Sequence, residues 1–149
     1  MSLCGIQSAR ATAFQLFTQM NAYKSGLVGD WEVVSKVIWS DSPYVKEGQK
    51  SISDLSIEEI NGTLYPHWEA GEWKMVRSKV LDFNIDKSLH WERESKLIED
   101  RDHYWYVRSV NKFDFSDSGQ FKGKSYHKEY LNGELVGTYI TQSYLHKKS

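Results

Sequence analysis

Residues 29–39 read Gly-Asp-Trp-Glu-Val-Val-Ser-Lys-Val-Ile-Trp, and their periodicity decides the fold. Trp31, Val33, Ser35, Val37 and Trp39 fall on one face while Glu32 and Lys36 fall on the other, the two-residue period of a half-buried strand. Upstream the period differs. Ala9, Ala13, Leu16, Phe17 and Met20 recur at spacings of three and four, which predicts an amphipathic helix over residues 8–23, with Ser8 as its cap and Gly26 ending the region. The change of period near residue 28 separates a single helix from everything that follows.

Downstream the two-residue pattern persists to the end. Strands are expected at 52–60 and 63–69, joined by Asn61-Gly62, the pair that a type I′ turn selects because both central residues need positive φ. Ala70-Gly71 turns the chain into EWKMVRSKVLDF, and Asn84–Lys87 breaks the pattern before SLHWERESKLI. A polar turn at Glu99–Asp102 leads to HYWYVRSVNKF, and a loop at Ser116–Gly119 leads to FKGKSYHKEYL. A second Asn-Gly turn, Asn132-Gly133, then opens ELVGTYITQSYLHK. So many antiparallel strands within about 120 residues bury their apolar faces only against one another, as a closed barrel or a sandwich. Closure removes exposed edges, and eight strands is the number at which a barrel interior holds one small ligand. The fold class is therefore all-β: an eight- to ten-stranded antiparallel up-and-down barrel over about 28–147, preceded by the helix, in a single domain spanning 1–149.

Composition narrows the functions. The chain of 149 residues has 19 Lys+Arg against 20 Asp+Glu, so it lacks the basic excess of a protein that binds nucleic acid through bulk charge. The basic tail His146-Lys147-Lys148 is too short to change that. No run approaches the ~20 apolar residues of a membrane span, and residues 1–24 carry no apolar core of a secretory leader. Cys4 is the only cysteine, so an intrachain disulfide is excluded and a cytoplasmic location is expected. Six Trp and nine Tyr contribute to a 14% aromatic content, enough to line a pocket for a planar ligand as well as to fill a core.

Leu27-Val28-Gly29-Asp30-Trp31 resembles the Gly-x-Trp signature that opens the first strand of lipocalins and their calycin relatives. The resemblance implies a lipocalin-like barrel whose closed end is plugged by Trp31, with Gly29 starting the strand and an arginine from a late strand over the indole. The Thr-Asp-Tyr pattern and the disulfides of secreted lipocalins are absent. The helix-then-Gly-x-Trp opening and the tryptophan abundance are also similar to bilin lyases, which attach chromophores to phycobiliproteins. That likeness implies a bilin as cofactor and a client protein as partner, with catalysis mostly by positioning.

Three successive strands each set an arginine among aromatics. Arg77 is expected to share a face with Trp73 and Met75, Arg93 with Leu89 and Trp91, and Arg108 with Tyr104 and Tyr106. Inside a barrel such guanidinium groups need partners, and a ligand carboxylate or phosphate matches their bidentate fork. If the faces point outward, the arginines pair instead with Glu92, Glu94 or Glu129. The ligand-binding set is thus Arg77, Arg93, Arg108, Trp73, Trp91, Tyr104 and Tyr106, serving a small, largely apolar or conjugated ligand with an acidic group. The alternatives are a bilin lyase using the same cavity and a filled barrel that binds a protein on its outer surface.

Other constellations point to less. His67, His90, His103, His127 and His146 lie on separate segments with no metal-ligand spacing. Glu58-Glu59 and Glu92/Glu94 read as alternating charges on exposed strands. Ser125, Tyr126, His127 and Glu129 hold acid–base groups, but neighbours along a strand face opposite ways.

Overall fold

A computed structural model describes residues 26–84, 87–97, 102–115 and 120–148. The helix expected over 8–23 lies outside the described residues. Within them the chain forms β1 (Gly29–Ser40), β2 (Lys50–Ile60), β3 (Thr63–Ala70), β4 (Trp73–Ser78), β5 (Asp82–Phe83), β6 (Ser88–Leu97), β7 (Trp105–Phe115), β8 (Phe121–Leu131) and β9 (Glu134–Lys147). Every ladder is antiparallel. The order β4-β3-β2-β1-β9-β8-β7-β6 is joined end to end by β4–β6 pairing, so eight strands close into an up-and-down barrel and the two-residue β5 is an addition. The barrel expected from the sequence is the barrel observed.

Turn chemistry sets the hairpins. Asn61 and Gly62 have φ of 52° and 79°, and Asn132 and Gly133 have 51° and 86°, the positive values that their Asn-Gly pairs supply at little cost. Closure falls to the first and last strands, which pair from Trp31↔Lys147 to Ser40↔Tyr139.

Strand β4 corrects the sequence reading. EWKMVRSKVLDF was expected as one strand, but it forms β4 and β5 with a break between them. Between the pairs Ala70↔Trp73 and Leu64↔Leu81, β3 advances six residues and its neighbour eight. The surplus is absorbed as irregular backbone that follows β6, with Lys79 N–H donating to the Glu92 carbonyl at 3.0 Å. Leu64 accepts from Leu81 N–H, so two residues on Pro66 faces the same neighbour, where it has no N–H to give.

The interior has two storeys. At one end Leu27, Trp31, Ile57, Leu64, Leu81, Phe83, Leu89, Phe113, Phe121 and Leu145 form a buried apolar plug. Trp31 is 2% exposed and meets Phe121 edge-on with centroids 5.6 Å apart. Its indole N–H donates to the Leu27 carbonyl at 2.8 Å, which satisfies the one polar atom that the plug encloses in this ring. Among the described residues no arginine stacks on Trp31. Gly29 starts the strand at φ 131°, a conformation that disfavours a side chain, and a Cβ there would stand 3.1 Å from Lys147 Cε. Small residues also let backbones approach elsewhere. A Cβ on Gly123 would collide with the Lys112 carbonyl and Phe113 Cα across the ladder.

Trp39 departs from the face it was expected to share with Trp31. A bulge between Val37 and Trp39 shifts the register, and Trp39 emerges 44% exposed.

Candidate functional site

Above the plug the strands enclose a cavity of about 340 Å³. Strand alternation gives it two unlike walls. Val33, Leu55, Trp68, Trp73 and Trp91 present apolar surface, while Ser35, Asn111, Ser125, His127, Thr141 and Ser143 present polar groups. In β8 the inward set Phe121, Gly123, Ser125, His127, Glu129 alternates with Lys122, Lys124, Tyr126 and Lys128 outside, so the lysines mark the solvent face.

The polar wall is internally bonded. Ser35 Oγ and Ser143 Oγ are 2.7 Å apart, bridging β1 and β9. Ser125 donates to Asn111 Oδ1 at 2.6 Å, and Asn111 Nδ2 donates to the Trp91 carbonyl at 3.0 Å. His127 bonds through Nδ1 to Ser109 Oγ at 2.7 Å and through Nε2 to Thr141 Oγ1 at 2.8 Å, and it stacks on Tyr139 with centroids 4.4 Å apart. Burial, then the charge of Arg93, drives the His127 pKa well below its ordinary value, so the ring is neutral.

Arg93 stands apart. Its Nη1 donates a long 3.3 Å bond to Asn111 Oδ1, and its guanidinium lies 3.8 Å from the Trp68 ring centroid and 5.1 Å from that of Trp91. Its Nε is buried with no partner, and none of the ion pairs among the described residues involves it. Protein encloses the group, and burial lowers its pKa to about 10, so it remains a cation near neutral pH. It retains part of its accessibility and borders both the cavity and the space that Arg77 and Arg108 line. An enclosed cation with stacking partners and no carboxylate is poised for an anion from outside the chain.

The second enclosed charge is Glu129, 4% exposed and also on the cavity wall. It accepts a 2.6 Å hydrogen bond from Ser42 Oγ, and burial raises its pKa against that bond. Ser42 belongs to the 41–49 loop between β1 and β2, which folds over the cavity mouth. Its fastenings are Thr138 N–H to Asp41 Oδ1 at 2.6 Å and an edge-on Tyr44–Trp105 contact at 4.8 Å. Gly137 makes room for the loop, because a Cβ there would lie 2.5 Å from Ser42 Cα.

Among the residues singled out from sequence, Arg93, Trp73 and Trp91 line this cavity. Arg77 and Arg108 are outside, with side chains 80% and 61% exposed, on either side of Glu94 at 4.0 and 3.3 Å. The shift between Met75 and Arg77 takes Arg77 off the face of Trp73. Tyr104 is exposed and stacks with Tyr106, which lies on the outer face near Arg108. Arg77 and Arg108, with Trp39, Tyr126 and Ile140, border a second space of about 590 Å³, which Arg93, Ser109, His127 and Tyr139 also line. Around this second space Glu94 and Glu92 already pair with Arg77, Arg108 and Lys79.

No protein-family model, curated protein or solved structure matches this chain. Function therefore has to be read from the site. No helix among the described residues is long and apolar enough to cross a membrane.

Sequence reasoning missed Glu129, His127 and Asn111 as cavity residues. Ser125, His127 and Glu129 do share a face, since they are spaced by two. The outward lysines of β8 were the signal that could have assigned that face to the interior.

Proposed function

We propose that this barrel binds a small molecule carrying an anionic group, held in the cavity by Arg93. The Arg93 guanidinium, which no carboxylate among the described residues pairs, carries the reading. Burying a cation without a counter-charge costs several kcal/mol, and a folded chain retains such a group where a ligand supplies the missing charge. Trp68 and Trp91 orient the guanidinium by stacking, and the apolar wall accommodates the ligand's carbon skeleton. The void lies toward the lower end of the ~300–1,000 Å³ typical of ligand pockets, which favours a compact ligand over an extended tetrapyrrole. The serines, Asn111 and Thr141 make the site more polar than a cavity for fatty chains. The protein acts as a binder in this reading; cavity residues position and enclose the ligand without a bond being made.

Tryptophan fluorescence tests it directly. Titration with short carboxylates and organic phosphates is expected to quench saturably, because Trp68 and Trp91 contact the anion's anchor. Arg93→Gln is expected to weaken binding on the order of ten- to a hundredfold, the worth of a charge-assisted hydrogen bond. Equal affinity in wild type and Arg93→Gln sinks the assignment.

A further inference from the structure

The cavity encloses two opposite charges that do not meet. Of the charged residues on its wall, Lys50 is exposed at the rim, while Arg93 and Glu129 are enclosed. No salt bridge joins them. Strand register explains why. Arg93 opposes Ser109, Ser109 opposes His127, and His127 opposes Tyr139, forming one row across β6, β7, β8 and β9. Glu129 sits in the next row, between Val107 and Gly137. Two strand spacings and one pleat repeat separate the backbones of Arg93 and Glu129, ~12 Å along the sheet. Placed so, the two charges do not pair directly, and a few methylene groups match the scale of the separation.

Resting on the anion reading above, we infer that the ligand is a small zwitterion, its anionic end on Arg93 and its cationic end on Glu129. Each group has unused capacity. Arg93 leaves Nε unbonded, and Glu129 has one side-chain donor, Ser42, where a carboxylate can accept several. A simple anion neutralises Arg93 and leaves Glu129 enclosed without a cation; a dipolar molecule satisfies both. Burial raises the pKa of Glu129 against the Ser42 bond, and an ammonium group beside it would oppose that shift. Tyr139 ends the row that Arg93 begins, its phenol pushed up to about 12 by burial, then by Glu129, and drawn back by Arg93. The 41–49 loop completes the cationic end, since Ser42 holds Glu129 from above.

The experiment is calorimetric titration of the full chain with three matched probes: δ-aminovalerate, valerate and pentylamine, with β-alanine and ε-aminocaproate setting the span. One of the amino acids is expected to bind at least tenfold more tightly than either single-ended compound. Glu129→Gln should reduce it to the affinity of valerate, and Arg93→Gln should weaken both acids on the order of ten- to a hundredfold. If valerate matches the amino acids and still depends on Arg93, the zwitterion inference falls while the anion reading stands. If no acid depends on Arg93, both fall. Should Glu129→Gln not fold, the carboxyl ¹³C resonance of Glu129 in the wild type decides. It should move with the zwitterion and stay fixed with valerate; an unmoved resonance on saturation overturns the inference.

Discussion

The hydroxyl of Ser109 lies 2.7 Å from Nδ1 of His127, joining two neighbouring strands inside the barrel through a ring that burial keeps neutral. With Thr141 on Nε2, the imidazole has one donor and one acceptor role to fill and two hydroxyls to fill them.

Acid should therefore weaken the fold through this residue. The His127 pKa in the folded chain lies well below the ordinary 6.5, so between those two values the unfolded chain takes up a proton that the folded chain refuses. The stabilisation is complete above 6.5 and is lost as pH falls toward the folded value, by up to about 1.4 kcal/mol per pH unit. Glu129 runs the other way, because its raised pKa gives stability below the ordinary carboxyl value that disappears as pH rises through the folded one. Urea midpoints measured between about pH 7 and pH 5.5 should fall for wild type and stay flatter for His127→Gln. Parallel curves would contradict the assignment.

Replacing the anchor should stabilise the empty protein. Asn111 keeps its bonds to Ser125 and the Trp91 carbonyl without Arg93. Arg93→Met removes an enclosed charge and keeps side-chain volume against Trp68, so unfolding is expected to cost roughly 1–3 kcal/mol more while ligand binding is lost. A lower urea midpoint in Arg93→Met would show that the guanidinium is better satisfied than its contacts indicate.

The mouth loop depends on a missing side chain. Gly137→Ala places a methyl 2.5 Å from Ser42 Cα, so the loop must lift and release Glu129. Trypsin should then cut after Lys46 or Lys50 several-fold faster than in wild type, with far-ultraviolet circular dichroism unchanged. An unaltered cleavage rate would mean that the loop shifts along the surface and stays fastened.

The closed end should behave as a packed core. Trp31→Phe keeps most of the apolar area but drops the bond to the Leu27 carbonyl, at about 1 kcal/mol. Trp31→Ala empties the plug beneath Phe121 and should cost roughly 3–5 kcal/mol. Denaturant midpoints with a common slope check both, and a Trp31→Ala protein as stable as Trp31→Phe would deny the plug its role.

How much of this was legible beforehand varied with the physics of each signal. Asn61-Gly62 and Asn132-Gly133 announce hairpins because few other pairs accept those dihedrals, and the alternation around Trp31 announces a strand. The interior assignment was harder. Small polar residues such as Ser109 and Ser125 occupy the inner face, so hydrophobicity alone gave no direction, and Arg108 and Arg93 looked equivalent. Their difference is one of register: Arg93 opposes buried Ser109, whereas Arg108 opposes Lys128 on the solvent side. Bulges at Val37/Trp39 and Met75/Arg77 turned Trp39 and Arg77 outward, and a surplus residue in a ladder leaves no mark in a two-residue pattern.

A ring of strands parts first at its weakest junction. The stretch of β3 from Tyr65 to Trp68 has no ladder to β4, and Pro66 could not complete one. Amide exchange should begin along that flank, well before the long seam between the first and last strands loosens. The flank adjoins Trp68, on whose ring Arg93 rests, so a guest could be admitted or shed sideways, by a wall that breathes, with the covering loop still shut.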